Sequence, residues 1–145
     1  MRLWVICILL VALLAGPASA AGDPLAGEVV FKKCLACHAV GEGAKNKVGP
    51  VLNDVVGRTA GTAEKFKYSQ ALIDAGSAGL IWTPETLAPW LHKPKDVVPA
   101  TKMSFAGLAE QADIDNVIAY LLTFSPNYVP AAPAPSAEAS SAPAQ

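Results

Sequence analysis

The sequence predicts an all-α fold, and three observations carry that prediction. Ala112 to Phe124 places Ile114, Val117, Ile118, Leu121 and Leu122 at helical spacing. Asp23-Pro24 and Thr83-Pro84-Glu85 each put a capping residue ahead of a proline, the order that opens a helix. No sustained period of two marks a strand, and no internal repeat is visible.

Taken in order, residues 1–20 read as a secretory leader. Arg2 supplies the positive start, Leu3 to Ala15 is almost all apolar, and Ala18-Ser19-Ala20 offers small residues for cleavage. The apolar run is short of the roughly 20 residues a membrane span needs. Cleavage near Ala20 and export of the chain are expected. The first helix is predicted from Pro24 to about Leu35. Residues 39–65 are rich in Gly, Lys and Asn and read as loop, with a stiff turn at Gly49-Pro50. Ser69 to Ala75 reads as a short helix ended by Gly76. The helix opened by Thr83 carries Pro89, expected to kink it, and ends at Pro94. Val97 to Leu108 is loop. The last helix, Ala112 to Phe124, stops at Ser125-Pro126. Val129 to Gln145 is mostly Ala, Pro and Ser and reads as a disordered tail. The organisation is therefore a leader (1–20), one folded domain (21–128) and a tail (129–145).

The chain has 145 residues and a formal charge of −1, which argues against a general polyanion binder and so against a nucleic-acid partner. A domain this small and this rich in loops is marginal unless a staple or a buried cofactor organises it. Ligand-type residues are scarce: three Cys, two Met and two His. A four-cysteine zinc site and a framework of two disulfides are both impossible. Removal of the leader takes Met1 and Cys7, leaving Cys34, Cys37, His38, His92 and Met103.

Cys34-Leu35-Ala36-Cys37-His38 is a C-x-x-C-H motif, the signature of covalent haem attachment. Two thiols three residues apart add to the two vinyl groups of one haem. The adjacent imidazole then reaches the iron. Export of the chain agrees with this chemistry. Other readings fit less well. A thioredoxin-like C-x-x-C calls for a βαβ context, which is absent. A plain Cys34–Cys37 disulfide leaves His38 without a role. Zinc on Cys34, Cys37, His38 and His92 lacks the usual histidine spacing. Iron takes a sixth ligand unless an enzyme keeps that position open. His92, next to Lys93 at a helix end, and Met103, in the loop after Pro99, are the candidates, and the loop context favours Met103.

The chain resembles a class I c-type cytochrome, of the bacterial periplasmic kind similar to the mitochondrial protein. Over residues 22–124 the matching positions run in order. They are Gly27 and Phe31, Cys34 to His38, Gly49-Pro50 and Leu52, Gly57-Arg58, Phe66, Tyr68-Ser69 and Trp82. Pro94-Lys95, Pro99, Thr101-Lys102-Met103, Phe105, Gly107 and Tyr120-Leu121 follow. The resemblance implies crossing N- and C-terminal helices, with shorter helices and long loops wrapped around one haem c bound through Cys34 and Cys37. It implies His38 and Met103 as axial ligands, with the Pro50 carbonyl orienting His38. It implies Arg58, Tyr68, Ser69 and Trp82 at the haem propionates, Thr101 steadying the methionine loop, and Phe105 shielding the haem edge. The chain departs from the family pattern at Trp90 (usually tyrosine), Ala100 (usually glycine) and Leu72 (usually polar), and its loop between Ile73 and Leu80 is longer.

Two function classes follow: an electron carrier, or an enzyme or sensor with an open iron site. One haem motif near the mature N-terminus and a methionine loop downstream favour the carrier. It would run between a cytochrome bc-type complex or dehydrogenase and a terminal oxidase or reductase. Lys32, Lys33, Lys45, Lys47, Lys93, Lys95 and Lys102 flank the haem motif or the methionine loop. A lysine-rimmed edge, with Lys33, Lys47, Lys95 and Lys102 foremost, suits transient docking to acidic redox partners. A monomer is expected, meeting membranes only through partner complexes.

Overall fold

A computed structural model describes residues 22–131. The expected leader, and the tail beyond residue 131, lie outside the described residues. Among the described residues five helices follow in order: α1 (Pro24–Phe31), α2 (Gln70–Ser77), α3 (Pro84–His92), α4 (Pro94–Val97) and α5 (Gln111–Thr123). Among the described residues there is no strand, only an isolated antiparallel bridge between Thr59 and Ile81. The all-α expectation holds.

Helix α1 opens as its sequence predicts, with the Asp23 carboxylate accepting the Leu25 N–H at 2.9 Å. It ends at Phe31, four residues before the predicted Leu35. The amides of Lys32, Lys33 and Cys34 bond instead to carbonyls three residues back, at 3.3, 3.0 and 2.7 Å. This tighter winding continues into a turn in which Cys37 and His38 both donate to the Cys34 carbonyl. The motif is thereby a compact turn on the end of α1.

Helices α1 and α5 cross closely at Gly27, where any side chain would overlap the Asn116 carbonyl. The Asp23 N–H donates to the Asn116 side chain at 2.8 Å, and the Phe31 and Tyr120 rings stack with centroids 5.3 Å apart. Phe31, Ile114 and Val117, on the facing sides of the pair, are almost fully buried. Their burial is the main force holding the two ends of the domain together.

Helix α2 is capped by Ser69 and runs on through Gly76 to Ser77, so Gly76 does not end it. That glycine serves close packing: a Cβ there would overlap the Ala60 carbonyl. Helix α3 starts with a reciprocal cap in which the Thr83 and Thr86 side chains accept each other's backbone N–H, at 3.3 and 2.8 Å. Pro89 stands inside a continuous α3, and its carbonyl still accepts the Lys93 N–H at 3.0 Å. Pro94 ends α3 and at once opens the single turn of α4, which lies partly inside the predicted loop.

Candidate haem-binding site

The loops and helices enclose a cavity of about 300 Å³. Its wall takes residues from α1 and its turn, α2, α3, α5 and both long loops, though none from α4. Phe31, Cys34, Cys37 and His38 come from α1 and its turn, and Pro50, Leu52 and Arg58 from the first long loop. Tyr68, Ser69 and Leu72 come from the start of α2, Trp82, Leu87 and Trp90 from around α3, Thr101, Met103 and Phe105 from the second loop, and Val117 and Leu121 from α5. All the site residues expected from the sequence therefore meet at one place.

Cys34 and Cys37 are free thiols, half-buried on that wall. Burial pushes the Cys34 thiol up to about 11, against a smaller lowering by Lys33. His92 is absent from the wall; its Nδ1 lies 3.0 Å from the Leu108 carbonyl. No group of three His, Cys, Asp or Glu side chains could hold a metal among the described residues. The zinc arrangement is thus not assembled.

His38 is fixed from several sides. Its Nδ1 is 2.7 Å from the Pro50 carbonyl, and since a carbonyl can only accept, Nδ1 carries the proton. Nε2 then keeps its lone pair, as a metal-binding imidazole requires. Burial holds the His38 pKa below its ordinary value; the Pro50 bond opposes this and Lys47 adds to it. The same peptide unit that accepts from His38 is held on its other edge, where the Val51 N–H donates to Asn46 Oδ1 at 2.8 Å. Asn46 also donates to the Glu64 carbonyl at 2.9 Å, which ties this turn to the next loop. Gly49 lies flat against the imidazole, where a Cβ would overlap the ring. Asn46 was not singled out in the sequence, because an asparagine in a loop has no periodicity to reveal its partners.

Met103 is half-buried on the wall, and its N–H donates to Thr101 Oγ1 at 3.2 Å. Ala100, where the family pattern has glycine, is not among the residues with positive φ. The alanine therefore sits there without backbone strain. Trp90 is buried against Trp82, ring centroids 4.9 Å apart, and both indoles face the cavity.

A set of polar groups also faces the cavity. Arg58 donates to the carbonyls of Asn53 and Val51 at 3.1 and 3.3 Å, leaving other N–H groups of its guanidinium free. Burial lowers its pKa, with Tyr68 and then Asp54 opposing the shift. The Tyr68 hydroxyl accepts the Ala63 N–H at 3.3 Å, and the Ser69 hydroxyl accepts the Leu72 N–H at 3.3 Å. Both hydroxyls retain a proton to donate. An apolar cavity with an arginine, three lysines and several hydroxyl donors on its lining suits a flat hydrophobic ring system that carries carboxylates.

The lysines are spread more widely than the sequence suggested. Lys33 and Lys102 lie on the cavity lining, as does Lys67, which had not been picked out, although Phe66 and Tyr68 bracket it. Lys47 donates to the Leu35 carbonyl. Lys95 is exposed and off the lining. Lys33 pairs with Asp113 at 3.2 Å, and Lys93 with Asp96 at 3.2 Å.

A helical shell with two free thiols and a neutral imidazole converging on an apolar cavity defines a haem protein of the c type. Comparison with known proteins specifies it further. The Cytochrome c family model matches residues 25–125. Cytochrome c2 of Agrobacterium tumefaciens is 52% identical over 110 residues, covering 76% of this chain and 98% of that protein. Cytochrome c-550 of Ancylobacter novellus is 51% identical over 102 residues, covering 70% and 95%. Among solved structures, cytochrome c2 of Rhodospirillum centenum superposes with a TM-score of 0.70 at 45% identity, covering 72% of this chain and 100% of that one. The chain belongs to the cytochrome c family. It is an electron-transfer cytochrome, a carrier and not an enzyme, and it binds one covalent haem c through cysteine. Redox proteins are its partners. No helix among the described residues is long and apolar enough to cross a membrane.

Proposed function

We propose that the protein is a soluble periplasmic carrier whose haem iron is held by His38 and Met103. Electrons would pass from a cytochrome bc-type complex or a dehydrogenase to a terminal oxidase or reductase. The observation that carries this reading is the shared cavity wall of His38 and Met103, with His38 Nδ1 committed to Pro50. Haem supplies a one-electron ferric/ferrous couple, and thioether ligation raises its potential. Every other part is played by the chain. Cys34 and Cys37 hold the group covalently. Pro50, backed by Asn46, keeps the His38 ring in one orientation. Thr101 steadies the Met103 loop, and Phe105 shields the cavity. Arg58, Tyr68, Ser69 and Trp82 bind the propionates, replacing the water those carboxylates lose.

Docking is assigned to the exposed lysines around the cavity: Lys33, Lys47 and Lys102, with Lys95 further out and Lys67 added. The working unit is 21–128, monomeric, with the leader removed near Ala20 and 129–145 as a tail. A redox titration with absorption spectroscopy tests the reading. A single reversible one-electron wave with low-spin spectra in both states is expected. A high-spin ferric form in the purified protein would place it with enzymes or sensors that keep the iron open.

A further inference from the structure

The segment after α5 ties down the loop that carries Arg58. The Asp54 N–H donates to the Phe124 carbonyl at 2.8 Å. Asp54 has φ +53, a left-handed conformation that aspartate adopts more readily than most residues, and this bond anchors the loop at that turn. The Val56 N–H donates to the Ser125 hydroxyl at 3.2 Å, and that hydroxyl donates to the Leu121 carbonyl at 3.2 Å. Ser125 is 3% exposed, so this is a buried link between loop and helix. The Tyr128 N–H then bonds to the Ser125 carbonyl at 3.1 Å, which turns the chain back.

That turn lays the Tyr128 ring over Gly57, the neighbour of Arg58. Gly57 has φ +92, and a Cβ built there would lie 3.1 Å from the ring, so the tyrosine sits on bare backbone. The opposite edge of the loop is held by Trp82. The Gly57 N–H donates to its carbonyl at 2.6 Å, and its own N–H donates to the Arg58 carbonyl at 2.9 Å. Arg58 also lies between two cavities: the site already described and an outer one of about 430 Å³ lined by Asp54, Gly57, Thr83 and Tyr128. Tyr128 lines that outer cavity and is not on the lining of the haem site.

We infer that Ser125 and Tyr128 are positioning residues for Arg58 and thereby help set the potential of the iron. Tyr128 lies beyond the stretch matched by the family model. The inference rests on the proposed placing of Arg58 at the haem carboxylates. A guanidinium held in a water-poor wall stabilises the ferrous state more than one that is solvated and mobile. Loss of the Tyr128 ring uncovers Gly57, frees the 54–58 loop and weakens that effect.

The test uses holoprotein carrying Tyr128→Ala, Tyr128→Phe, Ser125→Ala, Arg58→Ala and the double variant Arg58→Ala/Tyr128→Ala. Midpoint potential is measured for each, with hydrogen exchange of the Val56 and Gly57 amides. The expected result is a lower potential and faster exchange in Tyr128→Ala and Ser125→Ala, and wild-type values in Tyr128→Phe. In the Arg58→Ala background the tyrosine substitution should leave the potential unmoved. A wild-type potential in Tyr128→Ala, while Arg58→Ala shifts it, overturns the inference. So does an equal shift with and without Arg58. An unshifted potential in Arg58→Ala alone removes the placing of Arg58 itself.

Discussion

The Pro50 carbonyl stands 2.7 Å from His38 Nδ1, and the Val51 N–H of the same peptide bond is held by Asn46 at 2.8 Å. One rigid plane thus links an imidazole to an asparagine that lies eight positions beyond it in the chain. Asn46→Ala removes this brace and the bond to Glu64. The expected loss is about 1–2 kcal/mol of stability, read from denaturant unfolding of the holoprotein. Unchanged stability would mean that the turn holds itself.

Gly27→Ala tests the crossing of α1 and α5. The new methyl meets the Asn116 carbonyl and the Tyr120 Cβ, so the helices must separate. Overpacking of this kind costs roughly 1–3 kcal/mol. A thermal melt should show a clearly lowered midpoint; a wild-type midpoint would show that the crossing is slack.

His92 has no place in the haem site, yet it has a partner. Its Nδ1–H donates to the Leu108 carbonyl, while the Leu108 N–H donates to the Leu91 carbonyl at 2.9 Å. These bonds clasp the end of α3 to the segment that follows Met103 and Phe105. His92→Ala should lower stability by about 1 kcal/mol and leave the absorption spectrum of the iron unaltered. A changed spectrum would make His92 a ligand after all.

Tyr68 offers a pH test. Burial holds its phenol above the ordinary value of 10.0, and Arg58, then Ala63, only partly oppose this. The folded state therefore favours the neutral phenol. Its contribution to stability is complete below pH 10.0 and is lost as pH rises through the higher folded value. Tyr68→Phe should flatten the alkaline side of a stability–pH curve. An identical curve would place Tyr68 in solvent.

Docking through lysines predicts a steep salt dependence. The rate of reduction or oxidation by the natural partner should fall several-fold between low and physiological ionic strength. Lys102→Glu should slow the reaction at low salt and converge with wild type at high salt. A flat profile for both would contradict electrostatic docking.

Much of this architecture was legible in the sequence, for identifiable reasons. Helix α5 is readable to within one residue at each end, because a buried stripe on a surface helix imposes its period on the residues. The starts of α1 and α3 are readable because capping is local chemistry. The end of α1 is not, because Lys32 to Cys34 could as well continue an α-helix; only the tertiary site selects the tighter winding. Gly76 was misread for a related reason. A glycine that ends a helix and one that allows close packing look alike until Ala60 is placed against it. The residues proposed for the site, which share one cavity wall, were singled out through the motif and its ordered companions. Asn46, Lys67 and Tyr128 were missed because their partners lie across loops, where spacing along the chain carries no distance in space.

The central claim is that His38 and Met103 both ligate the iron. The ferric absorption spectrum of wild type beside Met103→Ala tests it most directly. Wild type should show a weak far-red band from sulfur-to-iron charge transfer. Met103→Ala should lose that band, have a lower potential and bind small exogenous ligands. Retention of the band, the potential and the closed site in Met103→Ala would contradict the assignment.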